Sequence, residues 1–155
     1  MQGMSLIVKN ITRLVASFIV LFGAYIALYG HLTPGGGFTG GVILAAGLAL
    51  VVLAFGERFA RNVLTPEWAK VGDTLGAVGF LAVAVLGFVG GVFFANFLPL
   101  GEVGRLVSAG TIPISNVAIG LKVGAGLFGV FVALAAYRRG AGPGPAAGIG
   151  AEAEG

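Results

Sequence analysis

The chain has 155 residues, of which 57% are hydrophobic and only 10% charged, with a formal net charge of +3 and no cysteine. An ordinary soluble domain carries roughly 25% charged residues, so this composition, with a mean hydropathy of +1.03, excludes a water-soluble globule and points to lipid as the solvent. The absence of cysteine excludes disulfides, thiolate metal sites, iron–sulfur clusters and thiol nucleophiles, and one histidine with six acidic residues leaves little material for a metal site or a catalytic triad.

The first apolar run covers roughly residues 11–29. It is too long for the apolar core of a signal peptide, and no small-x-small cleavage site stands out between Tyr29 and Pro34, so it is read as a retained helix. The second run, roughly 38–55, is short, so its helix takes in part of the Gly-rich segment before it. The third run is roughly 74–97, and Thr65, Pro66 and Glu67 upstream of it suit an N-cap, a first helical position and the positive end of the helix dipole. The third helix is therefore expected over 66–97, with Trp68 at headgroup level. The fourth run is roughly 114–137. Each approaches the about 20 residues that cross about 30 Å of hydrocarbon. The expected fold is all-α, a polytopic membrane protein with four transmembrane helices within residues 1–139. Residues 140–155, Gly/Ala/Pro with two glutamates, are expected to form a disordered tail.

Charge distribution orients these helices. Lys9, Arg13, Arg58, Arg61, Lys70, Arg138 and Arg139 fall on one side, against Arg105 on the other. The positive-inside rule then puts both termini and the middle connection in the cytoplasm of a plasma-membrane protein, with 31–37 and 99–113 facing outward. Basic residues that flank apolar runs are topology signals, and without a basic stripe and interleaved aromatics nucleic acid is not an expected partner.

The 29 glycines have no collagen-like period and fall inside the apolar runs. Gly72, Gly76, Gly79, Gly87 and Gly90 lie within about 80° of one another at about 100° per residue, and Gly72/Gly76 and Gly87/Gly91 have GxxxG spacing. Small residues on one face allow another helix to come close. Gly120 and Gly124 mark one side of the last helix, and Ser115, Ala118, Gly126, Gly129 and Ala133 the other. Two small faces imply packing on both, which suits a subunit embedded among other membrane chains.

Lys122 lies about one-third of the way into the fourth run. A charge at the bilayer centre costs about 2.5–3.5 kcal/mol on insertion scales, so it needs a partner or a cavity. It reads either as a proton-relay or cation-gating lysine, or as an amine that snorkels to the interface or pairs with a carboxylate of another chain. No Asp or Glu lies deep in any run, Asp73 being placed at the edge of the third, so an ion path would need carboxylates from a partner. The segment from His31 to Gly41 contains Pro34, Gly35, Gly36, Gly37, Phe38, Gly40 and Gly41. Pro34 turns the chain, the glycines permit backbone shapes closed to other residues, and Gly36/Gly40 and Gly37/Gly41 set a close-packing start to the second helix. No Gly-Lys-Ser/Thr follows, which argues against nucleotide binding. A tight turn and an interfacial polar cap are the plain alternatives for the glycines and for His31. Tyr25 and Tyr29 read as an aromatic belt, and Asn116 is placed to hydrogen-bond across helices on the Gly120/Gly124 face.

The string His31-x-x-Pro34-Gly-Gly-Gly-Phe38-x-Gly40-Gly41 resembles the signature of the MnhB/MrpB family, small subunits of the multisubunit Na+/H+ antiporters called Mrp or Mnh. The segment from Pro113 through Asn116, Gly120 and Lys122 to Gly124 is similar to that family's last helix, and the resemblance spans roughly residues 12–136. It implies a four-helix subunit without a redox or hydrolytic centre, hence not an enzyme and without a cofactor, inside a large hetero-oligomer that exchanges Na+ for H+. It also implies that Pro34, Gly35, Gly36, Gly37 and Phe38 are functionally sensitive, with Lys122 beside them. Related subunits occur in energy-converting hydrogenases and sulfane-reductase relatives, so a redox-driven complex is the alternative, as is a purely structural anchor. A protonated amine repels Na+, which argues against a direct Na+-ligand role for the last helix.

Overall fold

The computed structural model describes residues 4–56, 66–102, 104–106 and 108–140, with side chains described up to Tyr137. Helix α1 runs Leu6–Leu28, α2 Gly36–Phe55, α3 Pro66–Leu86, followed by a 3-10 turn Gly87–Gly90, and α4 Ile112–Gly140. Among the described residues the fold is all-helical, and four spans are long and apolar enough to cross a membrane. The expected Thr65 cap and the tail beyond Gly140 lie outside the described residues.

Helix α1 begins earlier than its apolar run because Ser5 caps it, its hydroxyl accepting from the Val8 amide at 3.5 Å. The Met4 amide donates to the Ala54 carbonyl at 3.1 Å, tying this entry to the end of α2. At the same end the Arg13 guanidinium stands 5.2 Å over the Phe55 ring. Helix α4 starts at Ile112 with Pro113 in its first turn, where a missing N–H breaks no ladder bond.

The expectation of one helix over 66–97 is corrected: α3 ends at Leu86 and its 3-10 extension at Gly90. Gly91 (φ 100°) closes it in the left-handed region, and Phe94 (φ 64°) turns the chain back. The Phe94 amide then donates to the Ala84 carbonyl at 3.2 Å, and its ring lies 5.2 Å from that of Phe80. Apolar content extended the hydropathy signal over a segment that three glycines had already broken. Gly87 and Gly91 are therefore not a helix–helix pair. A Cβ on Gly87 would meet the Phe94 and Ala95 amides at 2.6 Å, within the reversal, and one on Gly91 would meet nothing within 4 Å.

Neighbouring helices follow the order α1–α2–α4–α3. The central α2–α4 contact is made of backbone: Gly120 would bring a Cβ within 3.2 Å of the Gly37 carbonyl, and Gly124 within 3.3 Å of the Gly41 carbonyl. Two GxxxG pairs thus face each other, leaving no room for side chains between the axes. On its other side α2 presents Gly40 and Gly47 to α1: a Cβ on Gly40 would reach the Ala27 amide at 2.7 Å, and one on Gly47 would reach the Ile19 side chain at 3.1 Å. Between α3 and α4, a Cβ on Gly76 would reach the Lys122 amide at 2.6 Å and the Ala118 carbonyl at 2.7 Å, and one on Gly72 would reach Ala125 at 3.0 Å. The buried cluster of Ala45, Val52 and Phe128 is small, and Leu6, Val89 and Tyr137 are largely exposed. That inverted distribution is what lipid and neighbouring membrane chains require.

Candidate functional site

Two polar constellations interrupt the apolar spans. The first is an ion pair. Lys122 Nζ donates to Asp73 Oδ1 at 2.8 Å, with the two side chains 48% and 44% exposed. This corrects the placement of Asp73. Because α3 and its 3-10 extension end at Gly90 and not at residue 97, the span is Glu67–Gly90 and Asp73, about 10 Å along α3, lies inside it, at the level where α4 carries Lys122 about 15 Å from its start. The carboxylate expected from another chain is supplied by this one. Gly76 permits the approach by leaving the Lys122 backbone in contact with α3, and Gly126 leaves space beside Asp73, where a Cβ would come 3.4 Å from Oδ1. From Asp73 a groove of about 380 Å³ runs between α3 and α4, lined by Ala69, Lys70, Gly126, Gly129, Ala133 and Ala136 among others.

The second constellation is the turn between α1 and α2. Pro34 is exposed in a turn, Gly35 (φ 94°) and Gly36 (φ 55°) adopt left-handed backbone, and Phe38 is 60% exposed. At these two glycines a side chain would be strained. Gly35, the N-cap of α2, offers no side chain, and Asn116 of α4 takes that role: its Oδ1 accepts from the Gly37 amide at 3.3 Å. A Cβ on Gly37 would collide with the Asn116 carbonyl, and one on Gly30 would lie 2.7 Å from Asn116 Nδ2. Nδ2 is buried without a hydrogen-bond partner among the described residues.

His31 does not join the glycine turn's contacts with Asn116. Its Nε2 lies 3.1 Å from the Arg105 carbonyl and 3.0 Å from Ser108 Oγ, in the connection before α4. Tyr29 stacks on it at 6.4 Å and on Tyr25 at 5.1 Å. The same connection is held by Asn96, whose Oδ1 accepts from the Leu98 and Thr111 amides at 3.3 and 3.1 Å. The structure thus keeps Lys122 apart from the His31–Phe38 segment. Of the remaining glycines singled out in the sequence, Gly40 faces α1, Gly41 faces α4, and a Cβ on Gly79 would meet Ala118 in ordinary contact at 3.7 Å.

Sequence reasoning did not assign Asp73 or Asn116 to a site. A signal existed for Asn116, which leads Gly120 and Gly124 at intervals of four residues and so shares the face that meets α2. None existed for Asp73 without the true end of α3.

A family described as "Domain related to MnhB subunit of Na+/H+ antiporter" matches residues 7–129. The chain belongs to the MnhB family. This MnhB-family chain is 37% identical to an uncharacterized protein of Methanocaldococcus jannaschii, over 78% of the chain and 48% of that protein. It is also 37% identical to a Na+/H+ antiporter subunit of Bacillus subtilis, over 60% of the chain and 62% of that relative. Among solved structures it is similar to a chain of the membrane-bound sulfane sulfur reductase, an archaeal respiratory membrane complex. The TM-score is 0.69 and the identity 35%, over 81% of this chain and 56% of that one. This MnhB-family chain thus spans about half to three fifths of the length of these relatives.

Proposed function

We propose that the chain is a non-catalytic membrane subunit of a multisubunit monovalent cation/proton antiporter, contributing to assembly and to the ion path. The MnhB match over residues 7–129 carries this reading, and the likeness to the Na+/H+ antiporter subunit of Bacillus subtilis supports it. The apolar outer faces of α1 and α3 suit lipid and neighbouring subunits, and seven basic residues against one orient both termini toward the cytoplasm. The turn at Pro34–Gly41 then shapes the outward entrance, and the Asp73–Lys122 pair marks the polar point within the span.

A second reading, membership of a redox-driven ion-pumping complex, is favoured by one observation, the likeness to a chain of the sulfane sulfur reductase. Mild-detergent purification of the tagged chain from native membranes, with mass spectrometry of the co-purifying proteins, tests both. Antiporter subunits alone support the first reading, and added metal-cluster subunits the second. Recovery of the chain alone, active in vesicles, would remove both.

A further inference from the structure

We propose that Asp73 is a proton site within the membrane span and that Lys122 is its built-in competitor. The proposal rests on the reading of the chain as part of an ion path and names the group and the ion.

The geometry distinguishes this pair from a plain cross-link. An enclosed cross-link between α3 and α4 repays the desolvation of its charges only when the geometry is good and their remaining hydrogen bonds are satisfied. Here the two side chains stay 48% and 44% exposed, and Asp73 heads a groove. The groove runs toward the end of the bundle that holds Lys70 and Ala136, about 15 Å from Gly126 along α4. Asp73 therefore stands between a passage on one side and an ammonium on the other.

The ion follows from the donors. A bare metal cation needs several oxygens to replace its water shell. Among the described residues no three His, Cys, Asp or Glu side chains come together, and besides Asp73 the groove lining carries no side-chain oxygen, only alanine, glycine, Lys70, Phe128 and Val132. A proton needs one carboxylate oxygen. On uptake, the Asp73 carboxylate gains one proton from the aqueous side and becomes a carboxylic acid. Lys122 keeps its own proton and charge, the net charge of the pair rises from zero to plus one, and the ammonium is freed. Release reverses each change.

Few other charges bear on the pair. On α3, Lys70 lines the same groove and Glu67 lies nearer the helix start; on α4, Arg138 and Arg139 sit about 24 Å from Lys122 along the helix. Helix α2 carries no charged residue.

The test is an infrared pH titration of the tagged chain with its native neighbours, in lipid and in choline buffer so that only protons titrate. The expected result is a protonated-carboxyl band that grows on acidification and is lost in Asp73→Asn. A wild-type spectrum without such a band, or one unchanged in Asp73→Asn, would overturn the proposal. Should that variant fail to assemble, Asp73→Asn/Lys122→Gln supplies a neutral hydrogen-bonding pair for the same comparison. The antiporter reading stands or falls on the co-purified proteins, and the proton site on the band, so the two failures are separable.

Discussion

Asn116 of α4 caps α2: its Oδ1 accepts the Gly37 amide at 3.3 Å, across 79 positions of sequence. The start of α2 is therefore fixed from another helix. Removing that acceptor by Asn116→Ala is expected to destabilise the fold by about 1 kcal/mol, the usual effect of losing an N-cap. Thermal unfolding in detergent, followed by circular dichroism, measures it, and Asn116→Asp, which keeps an acceptor, should recover most of the loss.

Glycines on one face of α3 are predicted to differ sharply. Gly76→Ala would push a methyl into the Lys122 and Ala118 backbone, whereas Gly79→Ala meets only the Ala118 methyl at 3.7 Å. The first is expected to destabilise by roughly 1–3 kcal/mol through overpacking. The second should be neutral or slightly stabilising, since alanine is the better helix former by about 1 kcal/mol. Yield of folded chain at matched expression separates them.

The Asp73–Lys122 pair is expected to show coupling in a double-mutant cycle. Asp73→Ala and Lys122→Ala each strand a charge in the span, so the two single losses of stability should add to more than the loss in the double variant. Coupling energies of neighbouring residues run about 0.5–3 kcal/mol, and partial exposure of both groups places this pair in the lower part of that range. Unfolding in a fixed lipid–detergent mixture measures the four corners, and strict additivity would mean that the 2.8 Å contact contributes nothing.

His31→Ala is expected to act locally. It removes the Nε2 contacts with the Arg105 carbonyl and Ser108 Oγ, which share one ring nitrogen and together amount to about one hydrogen bond, roughly 0.5–1.5 kcal/mol. Faster amide exchange at Arg105 and Ser108, with α1 and α2 unchanged, is the outcome to look for.

The four spans were legible because crossing hydrocarbon demands about 20 apolar residues whatever their partners. The glycine start of α2 was legible too, since Pro34 and the glycines after it admit few backbone shapes. Asp73 was misplaced for a different reason. Hydropathy reads residues 87–97 as more span, but Gly91 and Phe94 reverse the chain there, so the true helix is displaced toward its start and carries Asp73 inward. The pairing with Lys122 depends on helix register, which no apolar pattern encodes. Asn116 shows the intermediate case, its face being readable from the four-residue spacing and its bond to Gly37 only from the turn that presents that amide.

The glycine seam between α2 and α4 also determines how force would travel. Side chains at a helix interface can change rotamer and absorb a displacement, but backbone carbonyls resting on glycine Cα atoms cannot. The flanking helices α1 and α3 share no packed interface of their own. A shift of α3 around Asp73 would therefore pass to α4, cross a joint with almost no give, and reach the turn at Gly37 with little loss, so that the middle of the span and its far mouth move as one rigid lever.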